Sequence, residues 1–239
     1  MQFYPWKARH LASFFGKMLP QDCQLCAIAC GPRLLCEDCL QLLPKLGMAC
    51  PVCAMPVHTG LQCGQCLNTP PYFDGTISAL RYAFPADRVV LGLKYGARLP
   101  FAILLGDLLI ERIPPHSQKP DLLIAMPLHR RRLAERGFNQ ALEIAKRISE
   151  VLGHPLHTEK IDRSRDTPHQ ADLPAEKRRA NMRGAFTSNA DLSGMSIAVV
   201  DDVMTTGASL NELARVLKAC GAARVENWVA ARTWPSDAA

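Results

Sequence analysis

The sequence predicts an α/β protein with a parallel sheet flanked by helices, preceded by a small cysteine-rich module. Nine of the ten cysteines lie between Cys23 and Cys66, whereas the C-terminal half contains two segments that read as strand, polar loop and helix. We therefore expect the cysteine-rich quarter to be stabilised through its cysteines, unlike the rest of the chain. We predict two domains, residues 1–70 and residues 71–239.

The amino-acid composition limits the classes of protein to which this chain can belong. The 239 residues are 48% hydrophobic and 21% charged, which is typical of a globular protein. Basic side chains interrupt the apolar core that a signal peptide needs, and the longest apolar stretch, residues 101–110, contains Asp107 and is too short to span a bilayer. We therefore expect a cytoplasmic protein with no membrane insertion. The net charge of +6 adds only a mild preference for polyanions.

The cysteine-rich segment contains one metal-ligand pattern twice. Residues 23–40 and 50–67 each read C-x2-C, nine residues, C-x2-C, at a constant offset of 50 − 23 = 27 residues. Two such knuckles supply the four thiolates of a closed, structural Zn²⁺ site, and a reducing compartment favours zinc over disulfides. The predicted ligands are Cys23, Cys26, Cys36 and Cys39 in the first site and Cys50, Cys53, Cys63 and Cys66 in the second. The spacing also permits a cross-braced pairing of knuckles one with three and two with four.

The segment IAVVDDVMTTGASL predicts a ligand site. A strand over residues 197–200 runs directly into Asp201 and Asp202, and a helix over residues 210–220 and a strand over residues 224–231 follow. The ligand site of such a unit lies at the carboxyl ends of its strands. The intervening loop contains Thr205, Thr206, Gly207, Ala208 and Ser209.

The composition of this loop is typical of a phosphate cradle. Small residues let backbone N–H groups converge on an anion at the helix N-terminus, and the hydroxyl groups add donors. Two carboxylates would repel that phosphate, so we expect them to hold the vicinal hydroxyls of a sugar, directly or through a divalent cation. A ribose 5-phosphate satisfies both requirements. A strand end with a polar turn and no ligand is the simpler alternative.

The stretch AVVDDVMTTGAS resembles the phosphoribosyl-pyrophosphate (PRPP) loop of type I phosphoribosyltransferases. In that family two acidic residues bind the ribose 2′ and 3′ hydroxyls, and the TTGxS/T loop holds the 5-phosphate. The resemblance assigns these roles to Asp201, Asp202 and residues 205–209. It implies a type I phosphoribosyltransferase-like sheet and a Mg²⁺ ion bound together with PRPP.

Residues 121–148 form the other strand, loop and helix pattern. Bidentate guanidinium groups at the end of a parallel strand suit a departing pyrophosphate, although a solvated basic loop is the alternative. Lys94 follows an apolar stretch and is a further phosphate-binding candidate, with a surface lysine on a helix as the alternative. The candidate arginines of the loop are Arg130, Arg131, Arg132 and Arg136.

Several segments together resemble the ComF/GntX family over roughly Leu19 to Arg232. They are the cysteine ribbon, LKYGAR, PLHRRRLAERGFNQ, the series Arg165, Thr167, Gln170 and Leu173, and the N-x-x-x-A-F motif of Asn181 to Phe186. The resemblance implies a phosphoribosyltransferase domain behind a zinc ribbon. It also implies a role in competence or in the use of DNA as a nutrient, with a helicase and recombination-mediator proteins as partners.

The leading hypothesis is a glycosyltransferase that binds Mg–PRPP and transfers phosphoribose with loss of pyrophosphate, with Asp201 and Asp202 as its catalytic residues. One alternative is a PRPP sensor without turnover. The other is an adaptor that binds single-stranded DNA through basic segments at residues 129–136 and 176–183. The sequence presents no obvious general base, and it identifies neither the acceptor nor the oligomeric state.

Overall fold

The computed structural model describes the chain in four ranges, residues 21–115, 118–157, 161–163 and 182–234. The protein divides into two compact units between Leu43 and Pro44. The second cysteine motif, from Cys50 to Cys66, therefore belongs to the same unit as the sheet. The assignment of residues 1–70 to one functional module stays a prediction.

The larger unit is built on a parallel sheet of five strands. These are β1 (Gly75–Arg81), β2 (Leu122–Ala125), β3 (Leu156–His157), β6 (Ser196–Met204) and β7 (Arg224–Arg232). Their spatial order is β1-β7-β6-β2-β3, and every neighbouring pair is parallel. A separate antiparallel pair joins β4 (Ile161–Arg163) to β5 (Phe186–Ser188). The predicted α/β class with a parallel sheet is confirmed.

Helices flank the sheet and follow the cysteine knuckles. Each of the short helices α1 (Glu37–Gln41) and α2 (Gly64–Asn68) has a cysteine as its N-cap residue. The other helices are α3 (Ala86–Gly96), α4 (Pro100–Ile110), α5 (Arg130–Arg136), α6 (Gln140–Leu152) and α7 (Ala208–Ala219). Within the described ranges, no helix has both the length and the apolar character needed to cross a membrane.

The core lies around the central strands. Residues 197–200 of β6 and 229–231 of β7 are completely buried, as expected for parallel strands covered on both faces. Helix α6 presents Ile144, Ala145 and Ile148 as a fully buried apolar face, because these side chains recur at helical spacing. This core fixes the carboxyl ends of the strands, where the polar residues of the candidate site follow.

The prediction that the strand over residues 197–200 ends before the acidic pair is wrong. Strand β6 continues to Met204, and its pairing with β7 includes Asp201 opposite Val229 and Met204 opposite Arg232. The neighbouring strand β7 is equally long, so the additional backbone groups find hydrogen-bond partners. The acidic pair consequently lies within the strand.

The prediction of a loop over residues 130–136 is also wrong, since these residues form helix α5. His129 caps the helix by accepting the N–H of Arg131 on Nδ1 at 3.3 Å, and Gly137 ends it with a φ of 78°. Arginine is a good helix former, and the Arg131–Glu135 pair at 3.0 Å adds an interaction one turn apart.

Candidate functional site

A cavity of about 170 Å³ is lined by residues at the carboxyl ends of β2 and β6. This edge is where open α/β sheets bind their ligands. The polar residues from α3, α5, α6, β6 and α7 that line it include Lys94, Arg132, Arg136, Gln140, Asp201, Asp202 and Ser209. Residues separated by more than 100 positions in the sequence thus contribute to one small polar cavity.

Lys94 forms an ion pair with the acidic residues. Its Nζ lies 3.1 Å from Oδ2 of Asp202, and the two side chains are only 20% and 11% exposed. Burial lowers the pKa of Lys94, but the charges of Asp202 and Asp201 outweigh burial and leave that pKa above its ordinary value. The ammonium group therefore stays charged and compensates one of the two carboxylates.

Asp201 carries the uncompensated charge of the pair. Burial, together with the negative charge of Asp202, raises the pKa of Asp201 to about 7, and the positive charge of Lys94 opposes the shift. Oδ1 of Asp201 accepts the backbone N–H of Asp202 at 2.8 Å. A hydroxyl donor or a cation at this carboxylate would favour its ionised form.

Gln140 brings an unpartnered buried donor to the same cavity. Its side chain is 2% exposed, and its Oε1 accepts a hydrogen bond from Nη1 of Arg136 at 3.0 Å. Its Nε2 finds no hydrogen-bond partner among the described residues. A buried donor without an acceptor costs about 1–3 kcal/mol of stability. An oxygen atom of a ligand in the cavity would accept a hydrogen bond from Nε2 and remove this cost. Sequence reasoning missed Gln140, although a polar residue directly after the helix cap Asn139 was a usable signal.

The loop over residues 205–209 leads into helix α7. Gly207 caps this helix with a φ of 77°, and a Cβ at this position would lie 2.6 Å from Cε of Met204. Only glycine fits both the backbone conformation and the space. Ser209 lines the cavity of the acidic pair, whereas Thr206 lines a larger cavity of about 410 Å³ together with Gly207 and Ala208. Thr205 is exposed.

The structure separates the four candidate arginines. Arg132 and Arg136 line the cavity of the acidic pair, and the guanidinium of Arg136 lies 5.4 Å from the centre of the Tyr95 ring. Arg131 pairs with Glu135, and Arg130 lines a different cavity. Residues four apart share a helix face, which is why two of the arginines meet the acidic pair and the others do not.

The cysteines form the two sequential groups that the repeat predicts. Within the groups Cys23, Cys26, Cys36, Cys39 and Cys50, Cys53, Cys63, Cys66, the Sγ atoms all lie within 4.8 Å of one another. The cross-braced pairing is therefore not the one that the structure adopts. Four thiols at this separation are the donor set of a closed tetrahedral zinc site.

The backbone favours the thiolate form of the first cysteine in each group. Ala27 and Ala54 follow equivalent cysteines, both with a left-handed φ, and each donates its N–H to the carbonyl of the first cysteine of its knuckle. Burial raises the pKa of Cys23 and of Cys50, but backbone N–H donors outweigh it and lower these pKa values to about 6 and about 7. In the second group, Sγ of Cys50 accepts the N–H of Cys63 at 3.3 Å. The residues present thus fit zinc.

Part of the sequence pattern lies outside the described residues. This applies to Arg165, Thr167, Gln170, Leu173 and Asn181, and to residues 176–181 of the second basic segment. Their contribution to a ligand site stays a prediction.

Comparison with known protein families defines the class of the larger unit. The phosphoribosyl transferase domain family matches residues 135–233, a range that contains Gln140, the acidic pair and the loop over residues 205–209. Together with the parallel sheet, this match makes the larger unit a domain of the phosphoribosyltransferase type.

Relatives over most of the chain narrow this class further. DNA utilization protein YhgH of Escherichia coli O157:H7 is 34% identical over 223 residues, covering 90% of this chain and 98% of the relative. Competence protein F of Haemophilus influenzae is 29% identical, covering 83% and 90% of the two chains. Competence protein ComFC of Bacillus subtilis is 27% identical, covering 77% of each chain. The chain belongs to this ComF family of DNA-utilization and competence proteins, as the sequence motifs predicted.

Proposed function

We propose that this protein binds PRPP as its Mg²⁺ complex in the cavity of the acidic pair and transfers the phosphoribosyl group with release of pyrophosphate. The observation that carries the proposal is the convergence of two carboxylates, one lysine, three arginines (Arg132, Arg136 and Arg163) and an unpartnered amide on one cavity at the carboxyl edge of the sheet. The names of the relatives support a role in DNA utilization or competence.

The acidic pair suits the ribose. Asp201 and Asp202 offer acceptor oxygens for vicinal hydroxyl groups, and Lys94 holds Asp202 in place. The raised pKa of Asp201 means that hydroxyl donors, or a cation near the ribose, would find a carboxylate whose charge is only partly compensated. Bound Mg²⁺ would supply positive charge to the pyrophosphate oxygens.

The opposite wall of the cavity suits the pyrophosphate. Arg132 and Arg136 offer planar donor groups for its oxygens, and Nε2 of Gln140 offers a further neutral donor. These groups lie on two consecutive helices whose caps and core packing fix their positions. Such preorganised donors would stabilise the charge that develops on pyrophosphate as the bond to ribose C1 breaks.

The loop over residues 205–209 suits the 5-phosphate. It lies directly after the strand that carries the acidic pair and opens helix α7, whose N-terminus favours an anion. Ser209 lines the cavity itself, and its hydroxyl donates to Sδ of Met182 at 3.7 Å. The loop and the acidic pair are thus adjacent in the chain, as the two ends of a ribose 5-phosphate require.

A non-catalytic adaptor that senses PRPP or binds single-stranded DNA is the second candidate. Arg130 and Arg131 support the DNA-binding form, because they are exposed on α5 and do not line the cavity of the acidic pair. Exposed guanidinium groups bind phosphates of a nucleic acid with an affinity that decreases steeply with salt. An uptake helicase and recombination mediators stay predicted partners.

Calorimetric titration of Mg–PRPP into the zinc-loaded full chain tests the proposal. We expect micromolar binding that is lost in an Asp201→Asn/Asp202→Asn variant and kept in Asp162→Asn, an exposed aspartate outside the cavity. Pyrophosphate release in the presence of candidate acceptors then separates an enzyme from a sensor. Absence of binding in the wild-type protein would refute both, and salt-dependent binding of single-stranded DNA would then favour the adaptor.

A further inference from the structure

Arg232 is a buried cation at the end of the central strand β7. It is 4% exposed, and its guanidinium donates to four main-chain carbonyl groups. Nε donates to Cys53 at 2.9 Å, and Nη1 donates to Met204 at 2.9 Å, to Thr233 at 2.8 Å and to Thr205. A planar guanidinium can serve acceptors on two sides at once, which lysine cannot do.

These acceptors belong to two functional parts of the larger unit. Cys53 is a member of the second cysteine group, whereas Met204 and Thr205 lead into the phosphate-loop segment at residues 205–209. The two parts also line one cavity of about 410 Å³, to which Cys53 and Cys66 contribute from one side and Thr206 to Ala208 from the other. Arg232 therefore connects the metal-binding knuckle to the start of the loop.

The knuckle of Cys50 to Cys53 is hydrogen-bonded to the sheet through consecutive carbonyl groups. The carbonyl of Pro51 accepts the N–H of Thr76 at 3.0 Å, and the carbonyl of Val52 accepts the Thr76 hydroxyl at 2.7 Å. After the Cys53 carbonyl, which accepts from Arg232, the carbonyl of Ala54 accepts Nε1 of Trp234 at 3.1 Å. Four consecutive carbonyl groups are thus held by residues of β1 and of the end of β7. A change in the knuckle must therefore disturb these contacts.

Charge adds a second connection. The cysteines whose charge would act on the Arg232 guanidinium when Zn²⁺ holds them as thiolates are Cys53, Cys63 and Cys66. Four thiolates around one Zn²⁺ leave a site with net negative charge, which compensates a buried cation. Loss of the metal would remove this charge compensation and release the Cys53 end of the knuckle, so that Arg232 would lose one of the two sides between which its hydrogen bonds hold it.

We propose that Arg232 is a positioning residue that makes the conformation of the loop over residues 205–209 depend on zinc in the second cysteine site, and not on zinc in the first. The consequence for PRPP rests on the proposed function, but the dependence of the loop on zinc does not.

Hydrogen–deuterium exchange of the loop peptide, without PRPP, tests the connection directly. In Arg232→Lys we expect about tenfold faster exchange over residues 205–209, with the zinc content and the exchange of β6 unchanged. The matched control is Arg224→Lys, at the other end of β7, where the arginine pairs with Glu226 and does not contact the loop. Faster exchange is not expected there.

Variants that remove one zinc site at a time test whether the loop depends on the second site alone. Cys53→Ser/Cys63→Ser should accelerate exchange of the loop, whereas Cys26→Ser/Cys36→Ser should leave it unchanged. Unchanged loop exchange in Arg232→Lys, or an equal effect of the two cysteine pairs, would overturn the proposal. So would a uniform rise throughout the sheet, since zinc would then merely hold the fold. Should Arg232→Lys fail to fold, the two cysteine-pair variants still give the comparison between the second site and the first.

Calorimetry on the same variants distinguishes failure of this inference from failure of the proposed function. If the wild-type protein binds Mg–PRPP, we expect the Arg232→Lys and second-site variants to bind it at least tenfold more weakly, which corresponds to about 1.4 kcal/mol. If the wild-type protein does not bind Mg–PRPP, the proposed function is refuted. Faster loop exchange in Arg232→Lys and in the second-site variant, but not in the first-site variant, would still establish the role of Arg232.

Discussion

Asp201 should make the protein less stable as the pH rises, and the effect can be worked out from its pKa. The pKa of Asp201 is raised to about 7 in the folded protein, mainly because the carboxyl group is buried. Its value in an unfolded chain is about 3.9. Because the folded protein binds this proton more tightly, the contribution of Asp201 to the free energy of unfolding is greatest below pH 4 and decreases as the pH rises to about 7.

The magnitude follows from the difference between the two pKa values. About 3 pKa units, at about 1.4 kcal/mol each, give a loss of about 4 kcal/mol in full. About half of this loss, about 2 kcal/mol, falls between pH 5.5 and pH 8.0. Asp201 is only half-buried, so solvent screening makes this figure an upper limit.

Urea unfolding of the wild-type protein and of Asp201→Asn at both pH values, in magnesium-free buffer, measures this effect. Asparagine keeps the Oδ1 acceptor for the N–H of Asp202 but cannot ionise. We expect the stability of the variant relative to the wild type to rise by up to about 2 kcal/mol from pH 5.5 to pH 8.0. The exposed Asp162→Asn variant controls for the loss of one carboxylate. A relative stability that is equal at both pH values, or that falls, would refute the assignment.

Three further substitutions test the geometry of the site. Gln140→Leu removes the unpartnered buried amide, so we expect Mg–PRPP binding to weaken by about tenfold in calorimetry while the urea midpoint changes little. Gly207→Ala places a methyl group against Met204 at a left-handed φ, and thermal unfolding should show a loss of about 1–3 kcal/mol, whereas no change would contradict the packing. Lys94→Met leaves Asp202 buried without its cation, so urea unfolding near neutral pH should show a loss of about 3 kcal/mol, partly restored in Lys94→Arg. An unchanged stability in Lys94→Met would show that solvent reaches the Lys94–Asp202 ion pair.

Sequence patterns predicted those features that depend on residues close together in the chain. The two cysteine groups followed from a repeat whose ligands are close in sequence, and the strand and helix around the acidic pair followed from the spacing of apolar residues. The carboxyl edge of the sheet was predictable for the same reason, because the order of strand, loop and helix dictates it. The phosphoribosyltransferase class needed only the acidic pair and the loop that follows.

What the sequence did not reveal depends on partners that are distant along the chain. Strand β6 continues through Asp201 because β7 is long enough to pair with it, and the length of a neighbouring strand cannot be read from a local window. The pairing of Lys94 with Asp202 joins residues more than 100 positions apart. The position of Gln140 after a helix cap marks it as polar at a helix start, but its unpartnered donor follows only from the positions of the surrounding side chains.

The two cysteine motifs are copies of one pattern, yet their surroundings no longer allow them to vary in the same way. Ala27 and Ala54 share a left-handed backbone, but Ala27 is exposed whereas Ala54 is 1% exposed and accepts a hydrogen bond from Trp234. A larger side chain at Ala27 would meet solvent, whereas one at Ala54 would meet buried surroundings. Equivalent positions of the two copies are thus under different packing constraints, although the spacing of their metal ligands is the same.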